Sequence, residues 1–303
     1  MEAEMSILVV GSVALDSVRT PFGEVEEVLG GSATYFSVAA SFFSPVRVVA
    51  VVGEDFPAEH LDFLGSRGVD LGGLRRMPGR TFRWRGFYDY DLNEAHTLDT
   101  QLNVFEDFDP EIPEEYRDSE FVFLANIDPS LQLKVLEQVR SPRLAICDTM
   151  NFWIENKRNE LLETVQRVDC LLLNDSEARQ LAEEPNLIAA GRKLQAMGPR
   201  RVIIKKGEHG VIMLGENSYF SLPAYPLETV FDPTGAGDSF GGGFLGALSR
   251  EPNLSEEAIR RAVVYGSVVA SFAVESFSCD RLRGLSEEEI KDRYDELMDI
   301  TCF

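Results

Sequence analysis

One segment, Asp232–Leu245, combines small residues with an acid at a spacing suited to group transfer; it reads Asp-Pro-Thr-Gly-Ala-Gly-Asp-Ser-Phe-Gly-Gly-Gly-Phe-Leu. Gly235, Ala236 and Gly237 have almost no side chain, so their backbone N–H groups can converge at the start of the helix that follows. Bare amides at the positive end of a helix make an anion hole. Asp238 can accept a hydroxyl proton while the hole holds a transferring phosphoryl group. The segment therefore predicts phosphoryl transfer to an alcohol.

Other phosphate-binding patterns fit the chain less well. It contains no Gly-x4-Gly-Lys-Ser/Thr run, and a dinucleotide fingerprint would need a third glycine where Phe240 stands and an earlier place in the chain. The competing interpretation is a glycine-rich loop with an aspartate at a helix start and no chemistry. That is the commoner meaning of a single short glycine motif.

The elements that must position this segment alternate between strand and helix, which predicts an α/β fold with a mostly parallel sheet covered on both faces. The predicted strands are Ile7–Val10, Val46–Val52, Phe121–Leu124, Leu144–Cys147, Cys170–Leu173 and Val202–Lys205, with a hairpin at Gly210–Leu214 and Tyr219–Leu222 and a β-like segment at Glu228–Phe231. The predicted helices are Ala33–Phe43, Ala58–Arg67, Leu131–Arg140, Ile154–Val165, Ser176–Glu183, Ile188–Met197, Ser239–Leu248, Glu256–Glu275 and Glu287–Met298.

One stretch departs from the alternation of strands and helices. Thr81–Tyr90 is rich in aromatic residues that alternate with polar ones, and His96–Phe105 alternates again after a turn. This pattern predicts a two-sided antiparallel hairpin. Such a hairpin is either a lid over a site, a dimer contact or an edge hairpin of the main sheet, and its aromatic residues are either binding groups or ordinary strand packing.

The Asp232–Leu245 segment resembles the C-terminal signature of the PfkB/ribokinase family of carbohydrate and nucleoside kinases. About 200 residues earlier, Gly30-Gly-Ser-Ala-Thr-Tyr-Phe-Ser resembles the N-terminal signature of that family. The resemblance implies a ribokinase-like doubly wound α/β sandwich over residues 1–303, with a small β-sheet lid formed by about 23–30 and 81–105. It also implies a phosphotransferase that uses ATP and Mg²⁺.

The resemblance also assigns roles near the phosphates. It makes Asp238 the catalytic base and places the γ-phosphate in the anion hole of residues 235–237. Asn174-Asp-Ser-Glu is similar to the family's Asn-x-x-Glu motif, which implies that Asn174 and Glu177 organise Mg²⁺; the same spacing is also that of a helix capping box. The implied nucleotide-binding residues are Lys205, Gly207 and Thr234.

On the acceptor side, the resemblance implies that the Asp16 carboxylate binds two neighbouring sugar hydroxyls, although Asp16 is otherwise a turn residue after the first strand. Gly30 and Gly31 would let the backbone approach the sugar. Tyr35 stands where the family usually has asparagine, so Thr34 or Tyr35 is expected to offer a hydroxyl instead. No basic cluster is evident for a second phosphate, which favours an unphosphorylated sugar or a ribonucleoside as substrate.

Composition and charge indicate which partners and which cell compartment to expect. The 303 residues carry a net charge of −22, which argues against nucleic-acid and membrane-surface partners. Four cysteines without a CxxC pattern, and an acidic start that does not resemble a signal peptide, predict a cytoplasmic protein. A homodimer through the lid is a further expectation. The competing function is a catalytically silent ligand sensor on the same fold.

Overall fold

The computed structural model describes residues 6–302, so the acidic start discussed above, residues 1–5, lies outside the described residues. The strands are β1 (Ile7–Val10), β2 (Ala14–Thr20), β3 (Gly23–Gly30), β4 (Val46–Gly53), β5 (Val69–Met77), β6 (Arg83–Tyr88), β7 (Ala95–Gln101), β8 (Phe121–Leu124), β9 (Leu144–Asp148), β10 (Cys170–Asn174), β11 (Arg201–Lys205), β12 (Val211–Leu214) and β13 (Tyr219–Leu222). The main sheet has the order β13-β12-β11-β10-β9-β8-β1-β4-β5. It is parallel from β11 to β5, and the predicted hairpin, β12 and β13, continues it antiparallel beyond β11.

Helices cover both faces of the main sheet. They are α1 (Ser32–Ala40), α2 (Ala58–Ser66), α3 (Pro129–Gln138), α4 (Asn151–Asn156), α5 (Arg158–Gln166), α6 (Asp175–Ala182), α7 (Leu187–Ala196), α8 (Ala236–Ser249), α9 (Glu256–Ala273), α10 (Asp280–Arg283) and α11 (Glu287–Thr301). Alternate residues of β1 enter different cores: Ile7 joins the core with α1, α8 and α9, and Leu8 joins the core with α3, α5 and α7. This confirms the doubly wound α/β fold. None of these helices is long and apolar enough to cross a membrane.

A second sheet, here called the small sheet, has the order β3-β2-β6-β7. It contains both segments predicted to form a lid, and β6 and β7 form the predicted antiparallel hairpin. It also contains β2, which the sequence did not predict as a strand. The edge-hairpin alternative is wrong because β6 pairs with β2, in parallel, and the two edges of the main sheet are β13 and β5.

Three local predictions need correction. Glu228–Phe231 is not a strand; the Phe231 N–H donates to Val274 O at 2.8 Å, so the end of α9 anchors this backbone. The predicted helix Ile154–Val165 is two helices, because Lys157 takes a non-helical backbone conformation between α4 and α5. The helix predicted at Ser239 begins three residues earlier, at Ala236, directly inside the glycine-rich segment.

Glycines in α8 bring this helix close to α1. A Cβ at Gly242 would lie 2.3 Å from Phe36 O, and one at Gly246 would lie 3.0 Å from Ala40 O. A real side chain at Gly242 would therefore force the two backbones apart. The close approach fixes the start of α8, and with it the anion-hole loop, against the helix that follows the Gly30–Gly31 pair.

Candidate active site

The candidate site lies at the carboxyl edge of the main sheet, where parallel α/β sheets bind ligands. Three neighbouring strands end there with polar residues: β9 at Asp148, β10 at Asn174 and β11 at Lys205. The strand register pairs Leu172 with Asp148 and Asn174 with Lys205, which aligns these ends. The start of α8 faces the same edge, because the Lys205 ammonium lies against Gly237.

The anion-hole loop has the conformation that its sequence favours. Gly235 is the N-cap of α8 with a φ of 74°, the left-handed region that favours glycine. Asp232 Oδ1 accepts a hydrogen bond from the Thr234 N–H at 2.9 Å and so bends the chain into the loop. Residues 235–237 are half-buried, which leaves them within reach of a ligand. The loop thus combines free backbone amides, the start of a helix and access for a ligand, which are the features of an anion-binding site.

Asp238 lies in the first turn of α8, next to this loop. Its surroundings raise the pKa of the carboxyl well above the usual range: burial contributes most, the negative charges of Asp148 and Asp16 add to it, and Lys205 opposes it. A carboxylate with a raised pKa is a better proton acceptor. The position and the basicity of Asp238 both suit a general base.

Asp16, on β2, faces the glycine pair at the end of β3. Its side chain is buried, and Oδ2 accepts from the Gly31 N–H at 3.4 Å. A Cβ at Gly30 would lie 1.9 Å from Oδ2, so only glycine leaves room for the carboxylate. Burial raises the pKa of Asp16 to about 7, the Gly31 hydrogen bond opposes this, and Asp232 adds to it.

The two residues expected to offer a hydroxyl to the acceptor are both buried. Neither Thr34 Oγ1 nor the Tyr35 hydroxyl is accessible or has a hydrogen-bond partner among residues 6–302. The Tyr35 ring packs under the anion-hole loop, where a Cβ at Gly235 would lie 2.3 Å from Tyr35 Cγ. In this structure Tyr35 therefore supports the loop and does not expose its hydroxyl to a ligand.

Asn174 and Glu177 form a complete capping box at the start of α6. Asn174 Oδ1 accepts from the Glu177 N–H at 2.8 Å, and Glu177 Oε2 accepts from the Asn174 N–H at 2.7 Å. Burial and the charge of Asp148 raise the pKa of Glu177 to about 7, and Lys205 opposes them. The structural alternative for this motif is therefore correct, whatever further role the two residues have.

The donor set suits Mg²⁺ that arrives with a nucleotide. Mg²⁺ in kinases is held by one or two carboxylates, waters and substrate phosphates. Glu177 uses Oε2 in the capping box, which leaves Oε1 for such an ion. Within the described residues no group of three or more His, Cys, Asp or Glu side chains forms a cage for a metal by itself.

Two of the residues expected to bind the nucleotide, Gly207 and Thr234, lie close to the small sheet. Gly207 opens a turn after β11 with a φ of 53°, and a Cβ there would lie 3.6 Å from Asn93 Oδ1 in the β6–β7 turn. Thr234 Oγ1 lies 3.3 Å from the Tyr88 hydroxyl at the end of β6. The small sheet thus contacts both sides of the candidate phosphate site.

Sequence reasoning missed one residue of this site, Asp148, and left the role of two others, Trp84 and Tyr88, open. Asp148 directly follows a predicted strand, and an acid at the carboxyl end of a buried strand was a usable signal. Trp84 and Tyr88 belong to the predicted hairpin, whose aromatic residues the sequence left open as binding groups or as ordinary strand packing. Their places next to the anion-hole loop and on the Asp16 face depend on the β2–β6 pairing, which has no local signal.

Comparison with known proteins agrees with this geometry. Residues 5–282 match the model of the pfkB family carbohydrate kinases. The chain belongs to the pfkB family. As a member of this family it is a phosphotransferase, and its ribokinase-like fold, with a main sheet between helices and a smaller second sheet, is the one that the resemblance implied.

Relatives of this pfkB-family chain are kinases of nucleosides and sugars. A cytidine kinase of Thermococcus kodakarensis is 32% identical over 262 residues, 84% of this chain and 92% of that protein. The nucleoside kinase structure of Methanocaldococcus jannaschii superimposes with a TM-score of 0.77 at 20% identity, covering 96% of this chain and 98% of the other. A ribokinase II from E. coli, solved with ATP and Mg²⁺, has a TM-score of 0.80 at 18% identity and covers 96% and 99%.

Proposed function

We propose that this enzyme transfers the γ-phosphoryl group of ATP to the hydroxymethyl group of an unphosphorylated ribonucleoside. The observation that carries the choice of a nucleoside is the position of Trp84. The edge of the indole occupies the space beside Gly86, where a Cβ would be 2.3 Å from Trp84 Cζ2, and its Nε1–H donates to Thr97 Oγ1 at 3.1 Å. A half-buried aromatic side chain held by such a hydrogen bond suits the face of a nucleobase.

The strand register supports this placement of the base. Asp16 in β2 pairs with Trp84 in β6, and paired residues of neighbouring strands point to the same face. Tyr88, four residues after Trp84, shares that face and reaches Thr234. A ligand whose sugar hydroxyls bind Asp16 would therefore place its ring system near the indole and its hydroxymethyl group near the anion hole. The cytidine kinase relative supports the same substrate class.

In the proposed mechanism, Asp238 removes the proton from the acceptor hydroxyl as that oxygen attacks the γ-phosphorus. The amides of residues 235–237 stabilise the charge on the transferring group, and Asp16 orients the acceptor; such positioning and charge stabilisation supply most of the rate. Asn174 and Glu177 would hold Mg²⁺ with its waters, and the ion neutralises phosphate charge when ATP is bound. Lys205, Gly207 and Thr234 would line the nucleotide side.

We further propose that the small sheet acts as a lid and as the surface of a homodimer. The Tyr88–Thr234 contact would close the lid over the phosphate site, which excludes water and suppresses ATP hydrolysis. The outer strand β7 is largely exposed and could pair with a second copy. Sedimentation velocity would give the mass of the species in solution, and a monomer at all concentrations would rule out the dimer.

The test of the proposed function is ADP release from ATP and Mg²⁺ with cytidine, adenosine, inosine, ribose and fructose, using Asp238→Asn as the blank. We expect turnover with a nucleoside that is absent from the blank. Turnover with free sugars alone would keep the kinase chemistry and reject the nucleoside. No turnover with any acceptor, while ATP still binds, would favour the silent ligand sensor.

The role of Trp84 can be tested by fluorescence, because the chain has two tryptophans and the other one can be replaced. Trp153, whose Nε1–H donates to Asn126 Oδ1, lies outside the small sheet. In Trp153→Phe, a bound nucleoside should quench the remaining fluorescence of Trp84, since the base stacks on the indole. In Trp84→Leu we expect KM for the nucleoside to rise about 10-fold or more, as stacking on an aromatic side chain contributes roughly 1–3 kcal/mol. Unchanged fluorescence and KM would show that Trp84 only packs the strand.

A further inference from the structure

A buried ion pair joins two strands at the candidate site. Lys205 Nζ lies 3.1 Å from Oδ2 and 3.3 Å from Oδ1 of Asp148, and the two side chains are 17% and 5% exposed. Their strands, β11 and β9, are separated by β10, so the lysine side chain extends across the end of β10. An extended lysine needs a partner to stay in one conformation, because its free side chain has many rotamers.

The ammonium of this pair lies in the anion-hole loop. A Cβ at Gly237 would be 3.0 Å from Lys205 Nζ, a tight contact, so the ammonium lies directly beside Gly237. Gly237 is the last of the three small residues whose amides form the hole. A phosphoryl group bound by these amides would therefore lie next to Lys205 Nζ.

The Asp148 carboxylate is itself firmly held. Oδ1 accepts from the Thr149 N–H at 3.0 Å, and the backbone carbonyl of Asp148 accepts from Gln132 Nε2 at 3.0 Å. Gln132 is buried and donates also to Ala125 O at 2.9 Å. The backbone of Asp148 is thus tied through Gln132 to the end of β8, and its carboxylate is held by the Thr149 N–H, so it can define where the ammonium lies.

Electrostatics keep the lysine charged in this position. Burial lowers the pKa of Lys205, but the charges of Asp148, Glu177 and Asp238 outweigh it and raise the pKa overall. A fixed ammonium in a half-buried site stabilises developing negative charge far better than a solvated one, because it needs no reorganisation during the reaction.

We propose that Asp148 is a positioning residue that holds the Lys205 ammonium at the anion hole, where it stabilises the transferring γ-phosphoryl group. The inference rests on the proposed phosphoryl transfer and adds a residue that the family signatures above do not include. As the acceptor oxygen bonds to the γ-phosphorus and the bond to the β-phosphate oxygen breaks, the acceptor proton goes to Asp238. Lys205 keeps its proton and its contact with Asp148 throughout.

The test compares Lys205→Gln, Asp148→Asn and the double variant in two assays. In turnover, Lys205→Gln should lower kcat about 100-fold or more, as does loss of one oxyanion donor. Asp148→Asn should lower kcat by up to about 100-fold, the effect of misplacing a catalytic group by roughly 1 Å. Because Asp148 acts through Lys205, the double variant should be no slower than Lys205→Gln alone.

The second assay is calorimetric binding of ATP and of ADP without an acceptor, so it remains informative if no acceptor is turned over. Loss of the γ-phosphate contact should reduce the preference for ATP over ADP about 10-fold or more in both single variants. The matched control is Glu256→Gln, which breaks the 3.6 Å ion pair of Arg201 at the opposite end of the same strand and should change neither readout.

Two results would overturn the inference. If Asp148→Asn lowers kcat as strongly in the Lys205→Gln background as in the wild type, then Asp148 acts independently, for example as a metal ligand. If both single variants fold and keep the full preference for ATP over ADP, the ammonium does not contact the γ-phosphate. Melting curves of all variants identify those that fail to fold. Lys205→Arg then replaces the variant that fails; it keeps the charge and should retain more activity than Lys205→Gln.

Discussion

The hydroxyl of Tyr88, at the end of strand β6, lies 3.3 Å from Oγ1 of Thr234 in the loop before helix α8. The two residues are 146 positions apart in the chain, and their contact is where the small sheet meets the anion hole. Burial raises the pKa of the Tyr88 phenol far above its usual value, and the charge of Asp232 adds to this, while the bond to Thr234 opposes it. The phenol therefore stays neutral, and its oxygen accepts the hydrogen bond that the Thr234 hydroxyl donates.

Tyr88→Phe removes this contact and keeps the ring. A single neutral hydrogen bond contributes about 1 kcal/mol, so we expect kcat/KM for the acceptor to fall about 5-fold. ATP hydrolysis without an acceptor should rise relative to transfer, because the lid closes less completely. Thr234→Val should give the same loss, and the double variant should lose no more than either single variant. Independent, additive losses would show that the two residues do not act through one contact.

The variant Asp238→Asn tests whether Asp238 is the general base of the transfer reaction. Removing a positioned acid–base group costs about 10²- to 10⁴-fold in rate, so turnover should fall by that amount while calorimetry still detects ATP binding. Since the pKa of Asp238 is raised by burial and by Asp148, the rate of the wild type should increase with pH through neutrality, as the carboxyl loses its proton. This limb of the pH profile should be missing from the residual activity of the variant. Near-normal turnover of Asp238→Asn would end the assignment.

Asp16→Asn should stabilise the folded protein at pH 8 and weaken binding of the acceptor. The pKa of Asp16 is about 7 in the folded protein and near 3.8 in the unfolded chain. Below pH 3.8 both states hold the proton and the carboxyl has no effect on stability. Between pH 3.8 and about 7 the unfolded state loses the proton first, so the wild type is progressively destabilised as the pH rises.

The asparagine variant lacks this penalty. At pH 8 its Tm should exceed that of the wild type by about 3 °C or more, and the difference should shrink as the pH falls towards 4. Its affinity for the acceptor should fall at the same time, because a neutral amide accepts hydrogen bonds from hydroxyls more weakly than a carboxylate does. Melting curves against pH and KM for the nucleoside measure the two effects; a lower Tm at pH 8 would contradict the first.

Gly30→Ala should impair the acceptor site with little effect elsewhere. The added Cβ would lie 1.9 Å from Asp16 Oδ2 and must displace that carboxylate. We expect KM for the acceptor to rise about 10-fold or more, with a smaller change in KM for ATP. Gly65→Ala is the matched control: it lies in α2, where nothing would be within 4 Å of the new Cβ. That variant should keep full activity and gain about 0.5–1 kcal/mol in stability.

The sequence by itself determined those parts of the site that are built from consecutive residues. The glycine-rich loop and the place of Asp238 beside it follow from Asp232–Asp238, because a glycine-rich turn and bare amides are local backbone properties, although the start of α8 was predicted three residues too late. The capping box of Asn174 and Glu177 is equally local. The doubly wound fold followed from the alternating strand and helix patterns, since each pattern reflects burial of its own element.

Only the tertiary structure decided which distant side chains meet. Asp148 and Lys205 are 57 residues apart and form a pair because β9, β10 and β11 lie in that order and register. Asp16, Trp84 and Tyr88 share one face because β2 lies in the small sheet and pairs with β6. Strand order and register depend on the packing of the whole chain, and the local residue pattern of a strand does not specify its partner.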